Sequence, residues 1–174
     1  MTKVNIAPSH RMDCIKEYYF SKKNREIAEF RKAGRDIISL GIGSPDMPPA
    51  QAVIDRLAKE AQRPDVHAYQ PYNGSELLRK AYADWYEKWY NVKLDPKSEV
   101  LPLLGSKEGI VHICMAFLDE GDKVLVPNPG YPTYRAAVTL AGGEVLEYRL
   151  NAANGFYPNF EEIESEDLSR VKLM

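Results

Sequence analysis

Residues 99–134 read EVLPLLGSKEGIVHICMAFLDEGDKVLVPNPGYPTY, and this stretch narrows the accessible folds more than any other. Val100 to Leu104 is a short apolar run with the length and composition of a buried strand. Gly105-Ser106-Lys107-Glu108-Gly109 breaks it and opens a helix whose apolar positions, Ile110, Ile113, Met115, Ala116 and Phe117, form a broad inward face. Asp119-Glu120-Gly121-Asp122 ends that helix, and Val124-Leu125-Val126 reads as a second buried strand. The pattern is a βαβ unit with a turn of small residues at the C-terminal end of its first strand.

Such a turn has a chemical use. The first N–H groups of a helix have no intrahelical acceptor, and the helix dipole favours an anion there. Gly105 lets the chain approach a ligand closely, while Ser106 offers a hydroxyl and its own N–H. A phosphate fits that description. An ordinary N-cap, with Ser106 capping its own helix, accounts for the same residues.

The remaining chain supplies a scaffold around this unit. With 174 residues, one domain is expected, large enough to bury a core unaided. A formal net charge of −2 gives no reason to propose nucleic acid or an anionic membrane as partner. The two cysteines, Cys14 and Cys114, lack metal-ligand spacing and read as buried thiols of a reducing compartment. The absence of a signal peptide or a membrane-length apolar run leads to the expectation of a cytoplasmic protein.

A helix is expected from Asp13 to Ala33, stopped by Gly34, followed by a strand over 36–40. Gly41-Ile42-Gly43-Ser44-Pro45-Asp46 is then a turn in which a bare N–H at Gly43 is suited to a carboxylate. Pro48-Pro49 opens a helix of about fifteen residues. His67 to Gly74 is a polar, aromatic loop, and Ser75 caps a helix running to Tyr90 with Trp85 and Trp89 directed to the core. Pro127 to Tyr134 is a rigid loop at the end of the second strand, where ligands of open α/β sheets sit, so Tyr131 faces the same mouth as Ser106. A helix from Tyr134 to Ala141, a strand over 144–150, a short acidic helix over 160–168 and a strand beginning at Val171 complete the chain.

Taken together, Leu40-Gly41-Ile42-Gly43-Ser44-Pro45-Asp46, Tyr69-Gln70-Pro71-Tyr72-Asn73-Gly74 with Leu78-Arg79, Gly105-Ser106-Lys107-Glu108-Gly109 and Asn128-Pro129-Gly130-Tyr131-Pro132-Thr133-Tyr134 resemble the N-terminal part of class I/II aminotransferases, the fold-type I pyridoxal-phosphate enzymes. The resemblance runs from about Tyr18 onward and rests on four motifs in order. It implies a three-layer αβα fold with a mainly parallel sheet. Residues 1–45 would form an N-terminal arm and part of the small domain, and 46–174 part of the large cofactor-binding domain.

The same resemblance assigns roles. Ser106 and Lys107 match the pair that holds the phosphate of pyridoxal 5'-phosphate, and Tyr131 matches the aromatic stacked on its ring. Gly43 matches the glycine whose N–H meets the substrate carboxylate, and Tyr18 a tyrosine lining the substrate pocket in diaminopimelate-type members. Tyr69 matches the tyrosine that reaches the neighbouring subunit's cofactor phosphate, implying a homodimer with a shared site.

Family members are longer, and none of the lysines here stands in a Ser-x-x-Lys context, so no Schiff-base lysine and no catalytic residue is nominated. The chain is read as an N-terminal section. The implied activity is ping-pong transamination between an amino acid and a 2-oxo acid. Tyr18, Tyr19 and Tyr131, with no cation in view for a distal carboxylate, point to an aromatic or apolar amino donor. A pyridoxal-phosphate lyase of the same fold (a carbon–sulfur lyase or an aminocyclopropane carboxylate synthase) and a non-enzymatic effector-binding module are the alternatives.

Overall fold

The computed structural model describes residues 6–13, 15–41 and 43–174. Cys14, expected as a buried thiol, and Ile42 of the glycine turn lie outside the described residues. The chain divides into two compact units, one made of residues 1–16 and 103–174 and the other of residues 17–102. The boundary expected after residue 45 falls inside the second of these.

The first unit is built on a parallel sheet. Its helices and strands are α4 (Ser106–Phe117), β1 (Lys123–Asn128), α5 (Pro132–Leu140), β2 (Glu144–Arg149), α6 (Phe160–Glu164) and β3 (Val171–Leu173). The strand order is β2-β1-β3, so β1 is central and each neighbour is reached through a helical crossover. β1 and β2 run parallel in register from Lys123↔Glu144 to Asn128↔Arg149. Parallel neighbours require such crossovers and place helices on the sheet faces.

Val124 and Val126 point to one face and pack with Cys114 and Leu118 from the α4 side and Ala137 and Val138 of α5. Leu125 alternates to the other face, where it borders a small crevice with Ile163 of α6. This is the expected αβα layering. The inward face of α4 differs from the expected one. Ile110, Val111 and Cys114 meet the core, whereas Ile113, Met115 and Phe117 are half-exposed or more. Spacings of three and four from Ile110 and Val111 select that narrower stripe.

In the second unit, α1 (Tyr19–Lys32), α2 (Gln51–Ala61) and α3 (Glu76–Tyr90) are linked by irregular chain. α1 ends as expected: Gly34 takes φ +82°, and Arg35 N–H reaches back to Phe30 O at 3.0 Å. Ser75 caps α3, its hydroxyl accepting from Leu78 N–H at 3.3 Å. Arg79 is buried and donates to Pro96 O at 2.6 Å, tying α3 to the segment that follows it.

Several expectations fail here. Residues 36–40 and 100–104 belong to no sheet, because a strand exists only where another pairs with it and none of the described residues does. Trp85 and Trp89 are not core. They are 47% and 62% exposed, and Trp85 packs edge-on against Tyr90 with ring centroids 5.2 Å apart. The helix expected from Asp13 to Ala33 forms as α1 but begins only at Tyr19, and a short 3-10 turn (His10–Met12) precedes it.

Candidate active site

The candidate site of the first unit forms where α4 begins. Gly105 is the N-cap, at φ +121° and ψ 161°, a conformation that any side chain would strain. No heavy atom lies within 4 Å of where a Cβ would stand on it, so this side of the turn is open. Ser106 is therefore the first helical residue and its hydroxyl caps nothing, which removes the ordinary-cap alternative. The N–H groups of Ser106, Lys107 and Glu108 precede the first intrahelical acceptor.

Glu108 was not singled out from sequence. Its carboxylate turns back from the first turn of α4 to accept Leu104 N–H at 2.5 Å. That contact resembles half of a capping box displaced by one residue, since the N–H it takes belongs to the residue before the N-cap. An acid three residues beyond the N-cap is its sequence signal. It fixes the chain just before Gly105.

Opposite stands the loop after β1. A Cβ on Gly130 would overlap the carbonyl oxygen of Pro127, so the loop closes tightly only with glycine there. Tyr131 is the N-cap of α5 and is 38% exposed. Its ring meets Tyr134 edge-on at 5.8 Å, and Lys107 Nζ lies 5.5 Å from its centroid. A hydrogen bond with Thr133, then one with Lys107 and the charge of Lys107, hold the Tyr131 phenol below the usual tyrosine range.

Ser106, Lys107 and Tyr131 are thus brought together in one unit. The other predicted site residues, Gly43, Tyr18 and Tyr69, lie in the second unit. Gly43 has no heavy atom within 4 Å of a notional Cβ, Tyr18 is the N-cap of α1 with its ring 5.6 Å from that of Phe20, and Tyr69 is fully exposed. Among the described residues no cluster of His, Cys, Asp or Glu has metal-binding geometry, and no helix is long and apolar enough to cross a membrane.

The first-unit arrangement fits a phosphate ester carrying an aromatic ring. It offers helix N–H donors that have no intrahelical acceptor, an open glycine face, a cation and an aromatic plane close to one another. A parallel sheet with such a helix start and aromatic at the strand ends defines the class of α/β proteins that bind phosphate-bearing cofactors.

Comparison with known proteins specifies the class. The family "Aminotransferase class I and II" matches residues 35–174, and the chain belongs to it. The family's cofactor is pyridoxal 5'-phosphate. The LL-diaminopimelate aminotransferase of Moorella thermoacetica is 49% identical over 166 residues, covering 95% of this chain and 43% of that protein. That of Aquifex aeolicus is 39% identical over the same shares. Among solved structures, apo-BacF of Bacillus subtilis superposes with a TM-score of 0.88 at 36% identity, covering 98% of this chain and 44% of that one. The aspartate aminotransferase of Thermotoga maritima gives 0.86 at 28% identity, covering 95% and 44%. The chain spans less than half the length of the relatives it matches.

One expectation changes. The relatives are named for LL-diaminopimelate, not for an aromatic or apolar amino acid, and the donor expected from the tyrosines loses its support.

Proposed function

We propose that the whole protein is a pyridoxal-phosphate-dependent aminotransferase whose amino donor is LL-diaminopimelate and whose acceptor is a 2-oxo acid. The observation that carries the reading is 49% identity, across 95% of the chain, to an enzyme named for that reaction. Diaminopimelate carries an amino-acid group at each end of a short aliphatic chain. Its recognition therefore calls for polar groups at the distal end, which an apolar pocket lacks.

The chain's residues take the following parts. Ser106, with the N–H groups of Lys107 and Glu108, binds the cofactor phosphate at the start of α4, where the helix dipole assists. Tyr131 stacks on the cofactor ring, orients it and keeps water from that face. Pyridoxal phosphate supplies the electron sink that acidifies the α-C–H of a bound amino acid. Gly43 offers its N–H to the substrate carboxylate, and Tyr18 lines the pocket. Tyr69 reaches the phosphate in a second subunit, which makes the working form a homodimer. In this reading residues 1–45 are an arm and part of a small domain, and 46–174 part of the cofactor domain.

The test uses full-length protein with cofactor, a 2-oxo acid acceptor and a panel of donors. LL-diaminopimelate is expected to give the highest kcat/KM, with formation of the oxo acid from the donor. Faster turnover of phenylalanine, alanine or aspartate refutes the substrate assignment. Ammonia release without amino transfer refutes transamination itself.

A further inference from the structure

The loop that presents Tyr131 runs between two elements, and a single carboxylate holds both of its flanks. Asn128 ends β1, and its side-chain amide donates to Glu147 Oε2 at 3.2 Å. Arg135, one turn into α5, forms an ion pair with the other oxygen, Glu147 Oε1. Glu147 itself sits on β2, opposite Val126 in the parallel register. Residues 126 and 128 therefore share a face with 147, the face on which α5 buries Ala137 and Val138. Leu150 N–H donates to Asn128 O at 2.9 Å and continues the ladder to the start of the loop.

Between these anchors only residues 129–131 are free of secondary structure. Tyr131 is the N-cap of α5, so its ring is placed by where the chain leaves β1 and enters α5, and is then held by its contacts with Thr133, Tyr134 and Lys107. Both points are tied to Glu147. The Arg135 and Glu147 side chains are 54% and 40% exposed, and a surface ion pair of that kind adds little to global stability. Two oxygens serving two flanks of a three-residue loop instead constrain position.

We propose that Glu147 is a positioning residue that fixes the Tyr131 loop, and through it the plane against which the cofactor ring stacks. The stacking rests on the proposed function, whereas the effect on Tyr131 does not. Removing the carboxylate releases the ends of the loop separately, and the tyrosine leaves its place beside Lys107 and Thr133.

Glu147→Ala and Glu147→Gln in the full-length protein provide the test, with the Glu147→Arg, Arg135→Glu exchange as a third variant. In cofactor-free protein the Tyr131 phenol is titrated by ultraviolet difference against Tyr131→Phe. Glu147→Ala is expected to move that titration up toward ordinary tyrosine, with the thermal midpoint within about two degrees of the parent. Glu147→Gln keeps one acceptor oxygen, and so one of the two ties, and should shift it less. The exchange restores the β2–α5 tie but not the Asn128 contact and should recover part of the shift. In cofactor-loaded protein, Glu147→Ala should weaken pyridoxal-phosphate retention several-fold. An unchanged tyrosine titration in Glu147→Ala overturns the proposal. So does a shift equalled by loss of the whole fold in both single variants. If the parent retains no cofactor, the functional reading fails, but the titration still decides the role of Glu147.

Discussion

Lys107 Nζ lies 5.5 Å from the centroid of the Tyr131 ring, although the two residues come from the start of α4 and the loop after β1. The contact gathers three properties at one point: an anion-attracting helix start, a cation and an aromatic plane. Each is ordinary alone. Their coincidence at the C-terminal end of a parallel strand makes the place a candidate cofactor site.

The first prediction concerns the Tyr131 phenol. Its hydrogen bond with Thr133 comes first, then that with Lys107 and the lysine charge, and all favour the ionised form. Tyr131 should titrate below the protein's exposed tyrosines. Thr133→Val and Lys107→Met should each raise its pKa, read as the absorbance change missing from Tyr131→Phe. A Tyr131 that titrates with the other tyrosines in the parent protein contradicts the geometry.

Three glycines are predicted to respond differently to alanine. Gly105→Ala imposes a side chain at φ +121°, a strain of roughly 1–3 kcal/mol without any collision. Gly130→Ala drives a Cβ into the Pro127 carbonyl and must displace the Tyr131 loop. Gly43→Ala meets nothing within 4 Å and has no positive φ, so stability should stay within about 0.5 kcal/mol of the parent. Chemical denaturation of the three variants checks the ranking. A Gly43→Ala variant as destabilised as Gly105→Ala would refute it.

Local signals in the sequence were sufficient for much of this. Ser75 and Gly34 mark helix ends because a cap is chemistry within four residues, and the parallel strands follow from apolar runs separated by a helix. The runs at 36–40 and 100–104 look the same in sequence, but pairing is a long-range property that no run carries by itself. The tryptophan spacing of α3 likewise gives a face without saying what covers it. In the site, the Gly-Ser-Lys turn and the Gly-Tyr-Pro loop were legible as motifs. The Lys107–Tyr131 contact and the Glu147 bridge were not, because residues far apart in sequence meet only once the sheet register is set.

Acid should loosen the β3 side of the sheet first. Asp167 is held down at about 2 by the Ser169 hydroxyl and N–H, then by Lys123. Asp122 is lowered chiefly by Lys172 on β3, then by Asp119 N–H. Both folded values lie below the unfolded one, near about 3.9. Their contribution is therefore fully present above that value and is lost as pH falls through the folded values. The thermal midpoint should decline between about pH 4 and pH 2. Asp167→Asn should lower the plateau at neutral pH and flatten the decline. A variant with the parent's full pH dependence argues against these pairs.

The last prediction is that Tyr69 works in a partner's site. Tyr69 is fully exposed, two residues before Pro71 on a loop that runs on to Gly74, the latter at φ +83° with Pro102 Cγ only 2.8 Å from a notional Cβ. A rigid loop that displays a bare phenol is suited to donating a hydrogen bond outward. The phosphate donors at Ser106 and the ring at Tyr131 belong to one unit and are assembled without Tyr69. If Tyr69 serves the other subunit's phosphate, Tyr69→Phe subunits keep a whole site except for the partner's phenol. Tyr131→Ala subunits lose their own site but still lend Tyr69. Each parent variant should be nearly inactive in the full-length protein, and refolding them together should form hybrids with one complete site. With random two-fold pairing, about a quarter of the parent activity should return. Hybrids that form, as shown by differently tagged subunits, yet regain no activity would establish that Tyr69 acts within its own chain.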